Sequence, residues 1–423
     1  MRRRLPAAAL IIAAVLLTAC SSSPSQTNGS GGSSSAGQSS AKAPYRLGAV
    51  MALTGAYAGT DKDAYAALQA TVAQINAEGG VNGHQLEYKV QDDQSNPNTA
   101  ALAAQELIQN YKPNFMFPDT LCVVTLAAMT PIKNAGISSF TGCDPGKGGP
   151  SDPTAFPYSF STDPPNAPNQ ITAMWAAVQE VMGSTPIKLG VIYTDDASGA
   201  LFSSSLDTLA TSHGATWAGG ESFAVGAPDM TVQLSKLKDA GANIVVQFGQ
   251  IGDGNTALKD LDQLGWNPKV IGNQSVLTGS MLGSVPASMV ANFQAMLPAA
   301  AVRPVAAGSV AAQFAPYLAK YSTNINTYAV VIATHDALML WKWAVDKSGS
   351  VSPQAVTAQL EKLSSLPASD LPGDLLGTPN PDYSSTVHGE IGADLVNGWG
   401  LGTISQDQEG TFAGKLFTCE ACH

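Results

Sequence analysis

The sequence predicts an α/β protein of two similar lobes, each a Rossmann-like parallel sheet with helices on both faces. Three observations carry this. Short apolar runs alternate with helix-period segments along most of the chain, the pattern of βα units. The alternation restarts after Pro164-Pro165, and 423 residues are enough for two domains. Hydrophobic residues make up 44% of the chain against 13% charged, so both domains can bury a core and global disorder is excluded.

Tyr45–Met51 reads as a strand running into a loop at Thr54-Gly55. Ala67, Leu68, Val72 and Ile75 then share one face of a helix over Ala64–Glu78, closed by Gly79-Gly80. Strands follow at Leu86–Val90, Asn114–Phe117 and Ile137–Thr141, with helices at Thr99–Asn110 and Val124–Asn134 between them. Beyond Pro165, helices are expected at Asn169–Met182, Leu201–His213, Val232–Ala240 and Thr256–Leu264. The strands among them are Lys188–Tyr193, Ile244–Phe248 and Val270–Gly272, and Thr323–Val345 reads mostly as a long Ala-rich helix. The second lobe is thus inserted into the first, with no sequence repeat between them.

The amino terminus reads as an address. Arg2, Arg3 and Arg4 precede the apolar stretch Leu5–Leu17, too short to span a bilayer and flanked like a secretory signal over residues 1–19. Leu17-Thr18-Ala19-Cys20 resembles a bacterial lipobox, so lipidation of Cys20 is expected, anchoring the chain to the outer face of the cell membrane. Residues 20–44, rich in Ser and Gly, read as a flexible tether.

The net charge of −11, without a basic cluster, argues against nucleic acid as a partner. His84, His213, His335, His388 and His423 are scattered and show no metal-ligand spacing, and no nucleophile elbow or phosphate loop occurs. Asp92-Asp93 and Asp195-Asp196 follow strands, where carboxylates cap turns and helices more often than they transfer protons. No catalysis, metal or cofactor is expected. Four further cysteines suit an oxidising compartment: Cys122 and Cys143 are expected to pair, and Cys419 and Cys422 to form a local bridge. Cys419-Glu420-Ala421-Cys422-His423 also matches the haem c attachment pattern; an electron-transfer role would show as a Soret band.

Three stretches carry a resemblance: Leu47–Gly55, Ile75–Gly83 and Asp92–Pro97. In order and spacing they are similar to the branched-chain-amino-acid-binding proteins of ABC importers, and the similarity continues to about Leu371. The resemblance implies a type I periplasmic-binding-protein fold: two lobes joined by three crossing strands, with a ligand cleft at the hinge and a permease as partner. A ligand sensor feeding a signalling partner is the alternative use of that fold. It places lobe 1 at 45–161 plus 299–379 and lobe 2 at 162–298 plus 380–423. The cleft candidates, beyond the carboxyl ends of strands, are Tyr57, Thr120, Val123, Thr141 and Gly142 in lobe 1, with Asp196, Ser198, Gln250, Asn273 and Gln274 in lobe 2. The family's ligand-holding Ser falls on Val123, its Thr near Cys143, its Tyr on Ser198 and its ammonium-binding acid on Gln274. These departures imply a ligand other than leucine, isoleucine or valine: another amino acid, an amide, a urea or a weak organic acid.

Overall fold

The computed structural model describes residues 42–55, 57–118, 122–142, 148–162, 167–249, 252–276, 285–303, 305, 307–325, 327–377, 383–389, 399–406 and 412–416. Two sheets organise it. The first contains β1 (Tyr45–Met51), β2 (Leu86–Asp92), β3 (Phe115–Pro118), β4 (Ser138–Thr141) and β5 (Ser159–Ser161) in the order β2-β1-β3-β4-β5, all parallel. Helices α1 (Ala58–Ala77), α2 (Pro97–Glu106) and α3 (Cys122–Ala135) connect its strands.

After β5 the chain enters the second sheet through α4 (Ala167–Met182). Strands β6 (Lys188–Thr194), β7 (Thr216–Phe223), β8 (Ile244–Phe248), β9 (Lys269–Gly272) and β10 (Phe293–Pro298) are parallel. They alternate with α5 (Ala197–Ser212), α6 (Thr231–Asp239), α7 (Asp253–Gln263) and the short α8 (Ala287–Val290). The short β11 (Val302–Arg303) precedes α9 (Val310–Leu318), α10 (Tyr328–Ser348) and α11 (Pro353–Leu360), after which β12 (Trp399–Gln406) and β13 (Phe412–Leu416) return to this sheet. Its order is β11-β13-β12-β10-β9-β8-β6-β7, with β12 antiparallel to both β10 and β13.

The two expected α/β lobes are present, and the differences from the expected elements have physical causes. Helix α1 starts six residues before the apolar periodicity does, because its first turns bury carboxylates: Asp61 Oδ2 accepts the Ala52 N–H at 2.7 Å, and Asp63 Oδ2 accepts the Thr327 N–H at 2.8 Å. Helix α5 starts at Ala197, ahead of Leu201, because the Asp196 side chain caps it by accepting the Gly199 N–H at 2.8 Å. Strand β7 was hidden by Gly219-Gly220; a Cβ at Gly220 would stand 2.4 Å from Ser203 Oγ, so helix–sheet packing needs glycine there. The long helix expected from Thr323 begins at Tyr328, and β5, α8, α9, β10 to β13 and α11 are elements beyond those expected.

Helix α10 ties the lobes together. Its first turns (Tyr328, Val331, Ile332) share a core with Phe293 and Leu297 beneath the second sheet. Its later turns, Ala337 to Val345, share a core with Phe115 and Phe140 of the first, where Trp341 stacks on Phe115 at 5.2 Å. One continuous helix in both cores is a stiff strut for any lobe movement. Among the described residues no helix is long and apolar enough to cross a membrane.

Candidate functional site

In parallel α/β sheets, ligands are held by loops at the carboxyl ends of strands. In the first lobe the loop after β1 is fixed by a clasp. Asp92 Oδ1 accepts the N–H groups of Leu53, Thr54 and Gln94 at 3.0, 3.2 and 2.9 Å, and Oδ2 accepts the Thr54 hydroxyl at 2.7 Å. Ser95 Oγ donates to Thr54 C=O and accepts the Tyr57 N–H. Gly55 is needed here, since its φ of +91° and a Cβ only 2.5 Å from Ser95 Oγ exclude a side chain. Partial burial opposes the charge on Asp92, but the Thr54 hydroxyl and the three N–H donors outweigh it and hold the carboxyl below the usual range. Its contribution is therefore present above the ordinary carboxylate pKa and is lost as pH falls through the lowered folded value. Asp92→Ala is expected to destabilise by about 1–2 kcal/mol and to speed hydrogen exchange at residues 53–57, a loss absent at acid pH.

Tyr57 lies at the start of α1 and is 37% exposed. Thr141 and Gly142, at the end of β4, are buried, and Thr141 C=O accepts the Thr162 N–H at 2.9 Å, beside the first crossing. Cys122, the first residue of α3, is disulfide-bonded, and no other cysteine lies among the described residues. Thr120, Gln250, Cys20, Cys143, Cys419 and Cys422 fall outside the described residues, as does the side chain of Val123.

In the second lobe, Asp196 is exposed and engaged as the cap of α5, whose first turn also carries the exposed Ser198. Asn273 braces two strand ends: its N–H bonds Gln247 C=O at 2.9 Å and its Oδ1 accepts the Gly249 N–H at 3.1 Å. Gln274 follows, half-buried, with its Oε1 enclosed and without a hydrogen-bond partner. Sequence reasoning missed Gln247, which is fully buried on β8 opposite Gly272 with neither amide atom bonded to protein. A lone Gln in the run Ile244-Val245-Val246-Gln247-Phe248 was the available signal. Buried amide atoms left bare await water or ligand. A separate cavity of about 240 Å³ against α9, lined by Ala311, Leu318 and Tyr328, contains none of the expected site residues.

The crossings are held tightly. Leaving β5, Ser161 donates its N–H to His388 C=O at 2.8 Å and accepts the Tyr383 hydroxyl at 2.6 Å, while Thr162 Oγ1 donates to Ala333 C=O of α10 at 2.8 Å. His388 is fully buried and stacked on Phe160 at 3.9 Å, with Nδ1 at 2.8 Å from Ser159 C=O and Nε2 at 3.2 Å from Glu361 Oε1. Asp336 on α10 accepts the Leu376 and Gly377 N–H groups, each at 2.7 Å. Tyr383 and His388 therefore pack on the first sheet and β11 lies in the second, whereas the expected boundaries assigned 380–423 to lobe 2 and 299–303 to lobe 1.

Two α/β lobes between which the chain passes more than once are the architecture of a class of solute-binding proteins. The family described as Periplasmic binding protein matches residues 44–380, and the chain belongs to that family. Leu/Ile/Val-binding protein homolog 8 of Brucella abortus (strain 2308) is 24% identical over 241 residues, covering 55% of this chain and 58% of the relative. The chain therefore spans well under two thirds of the length of the curated relatives it matches. Among solved structures, a periplasmic binding protein type 1 from Bordetella pertussis Tohama I aligns over 85% of this chain and 96% of its own, at 21% identity and TM-score 0.66. The branched-chain amino acid transporter substrate binding protein LivJ from Streptococcus pneumoniae, in complex with isoleucine, aligns over 88% and 99%, at 17% identity and TM-score 0.67. The leucine binding protein LivK from Thermotoga maritima aligns over 88% and 97%, at 16% identity and TM-score 0.65. The fold is thus that of type I periplasmic binding proteins.

Proposed function

We propose that this chain is the extracytoplasmic receptor of an ABC importer, capturing a small molecule between its lobes and delivering it to a permease. The observation that carries the reading is the family match across residues 44–380, which includes strands of both sheets. The lobes turn about the segments that link the two sheets, and closure encloses the ligand. The signal and lipobox at Arg2–Cys20 support a diacylated Cys20, with residues 21–43 as the tether to the membrane. Cys143 is the expected partner of Cys122, joining the loops after β3 and β4 and so stiffening the lobe-1 wall of the cleft.

The ligand is a neutral polar molecule or a weak acid. Tyr57, Gln250, Asn273 and Gln274 offer hydroxyl and amide groups, and the position resembling the family's ammonium-binding acid holds Gln274. Thermal-shift screening against amino acids, amides, ureas and organic acids tests this. A ligand at 100 times its dissociation constant should stabilise the protein by about 2.7 kcal/mol. Stabilisation by leucine, isoleucine or valine alone would contradict the ligand assignment, and a panel without any shift would count against a solute receptor.

A further inference from the structure

The end of lobe 1 where the described chain begins carries a surface that solute binding does not explain. Lys42 Nζ donates to Asn82 C=O at 2.6 Å, His84 Nδ1 stands 2.7 Å from Ala43 C=O, and Tyr45 stacks on His84 at 4.2 Å. Tyr45 pairs with Leu86 of the edge strand β2. Leu86 is in turn part of an open groove of about 490 Å³, lined also by Gln69, Glu87, Tyr88, Tyr111 and Tyr321. Tyr321, three residues beyond the end of α9, is 42% exposed.

Cations surround these rings. The Arg46 guanidinium lies over Tyr111 at 5.8 Å, the exposed Lys112 follows Tyr111, and the exposed Lys320 precedes Tyr321. Lys89 is half-exposed and 3.8 Å from Glu106. The cations Lys42, Arg46, Lys89, Lys112 and Lys320 outnumber the acids Glu78, Glu87, Glu106 and Asp346, the last of which accepts the Asn82 N–H, in a chain of net charge −11.

We propose that this face is a membrane-contact surface that rests on anionic lipid headgroups. Tyrosine rings with polar tips suit the headgroup layer, and Lys and Arg are drawn to anionic leaflets. An open groove suits an extended surface better than an enclosed solute. The position of Lys42 adds the geometric argument, because a chain tethered ahead of it brings this end nearest the anchor. The proposed anchor Cys20 lies only about 22 positions ahead of Lys42 in the sequence, which confines this end near the bilayer. That confinement makes weak attraction effective. The proposal therefore rests on the anchor reading given above, and the test separates the two.

Membrane fractionation of cells making the full chain, with a salt wash, reports the anchor. Hydrogen exchange of the full chain on vesicles reports the face. On phosphatidylcholine vesicles containing phosphatidylglycerol, segments 86–92, 107–112 and 317–322 should exchange roughly threefold or more slowly than on phosphatidylcholine alone. High salt should abolish the difference, and Lys112→Glu with Lys320→Glu should reduce it without changing Tm. Equal exchange on both vesicle types overturns the proposal. So does protection that grows with protein concentration in the absence of vesicles, which would make the face an interface between copies of the chain. Recovery of the protein in the soluble fraction overturns the anchor reading; vesicles added to that soluble protein then decide the face by the same exchange measurement.

Discussion

Asp336→Ala is expected to lower the unfolding free energy by about 3–5 kcal/mol, the cost of deleting a buried acceptor that serves two backbone N–H groups. Asp336 is 2% exposed, and besides the Leu376 and Gly377 N–H groups it takes a 2.7 Å contact from His335 Nδ1. Alanine leaves the buried Leu376 N–H and the part-buried Gly377 N–H without an acceptor and frees the segment that follows. Gly377 also packs closely here: a Cβ in its place would stand 2.8 Å from Ile332 Cγ2. Urea unfolding measures the loss, and hydrogen exchange should show it first at residues 371–377. A change below about 1 kcal/mol, the ordinary surface range, would show that this contact does not hold the segment.

The second large effect is at His388. Burial holds the imidazole pKa below its ordinary value, and the bonds to Glu361 and Ser159 offset this only in part. A lowered folded pKa means that the unfolded chain takes up the proton more readily. The His388 contribution is therefore fully present above about pH 6.5, the unfolded imidazole value, and is lost as pH falls through the folded value. Unfolding free energy measured downward from pH 7 should decline over that window. His388→Ala should cost about 2–4 kcal/mol at pH 7, from the lost stack on Phe160 and the lost ring hydrogen bonds. It should also flatten the decline below pH 6.5. An unchanged slope in the variant would assign the acid sensitivity to other groups.

What the sequence revealed of this fold, and what it concealed, follows from the range over which each residue acts. Strands such as Tyr45–Met51 and Ile244–Phe248 were legible because burial on both faces leaves an unbroken apolar run. The first turns of α1 were not, because Asp61 and Asp63 read as surface residues while their partners lie in other segments. The clasp at Asp92 was legible as a turn because most of its bonds are local or follow the spacing between β1 and β2. The hinge was illegible for the opposite reason: His388 bonds Ser159 across 229 positions and Tyr383 bonds Ser161 across 222, and no local pattern marks either. At the candidate site, Asn273 and Gln274 could be placed by the strand-end rule, whereas Gln247 could not, since a polar residue inside an apolar strand carries no positional label.

The central claim is that this member of the family meets its ligand with amide and hydroxyl groups where a zwitterion requires an anion. A buried ammonium without a carboxylate costs several kcal/mol, and Gln274 supplies none. Titration calorimetry of the purified protein with leucine, isoleucine and valine tests this most directly. The account predicts no binding at micromolar or tighter affinity for any of the three. A micromolar dissociation constant, about −8 kcal/mol of binding free energy, would show that another anion, such as Asp195 or Asp196, meets the ammonium, and would contradict it.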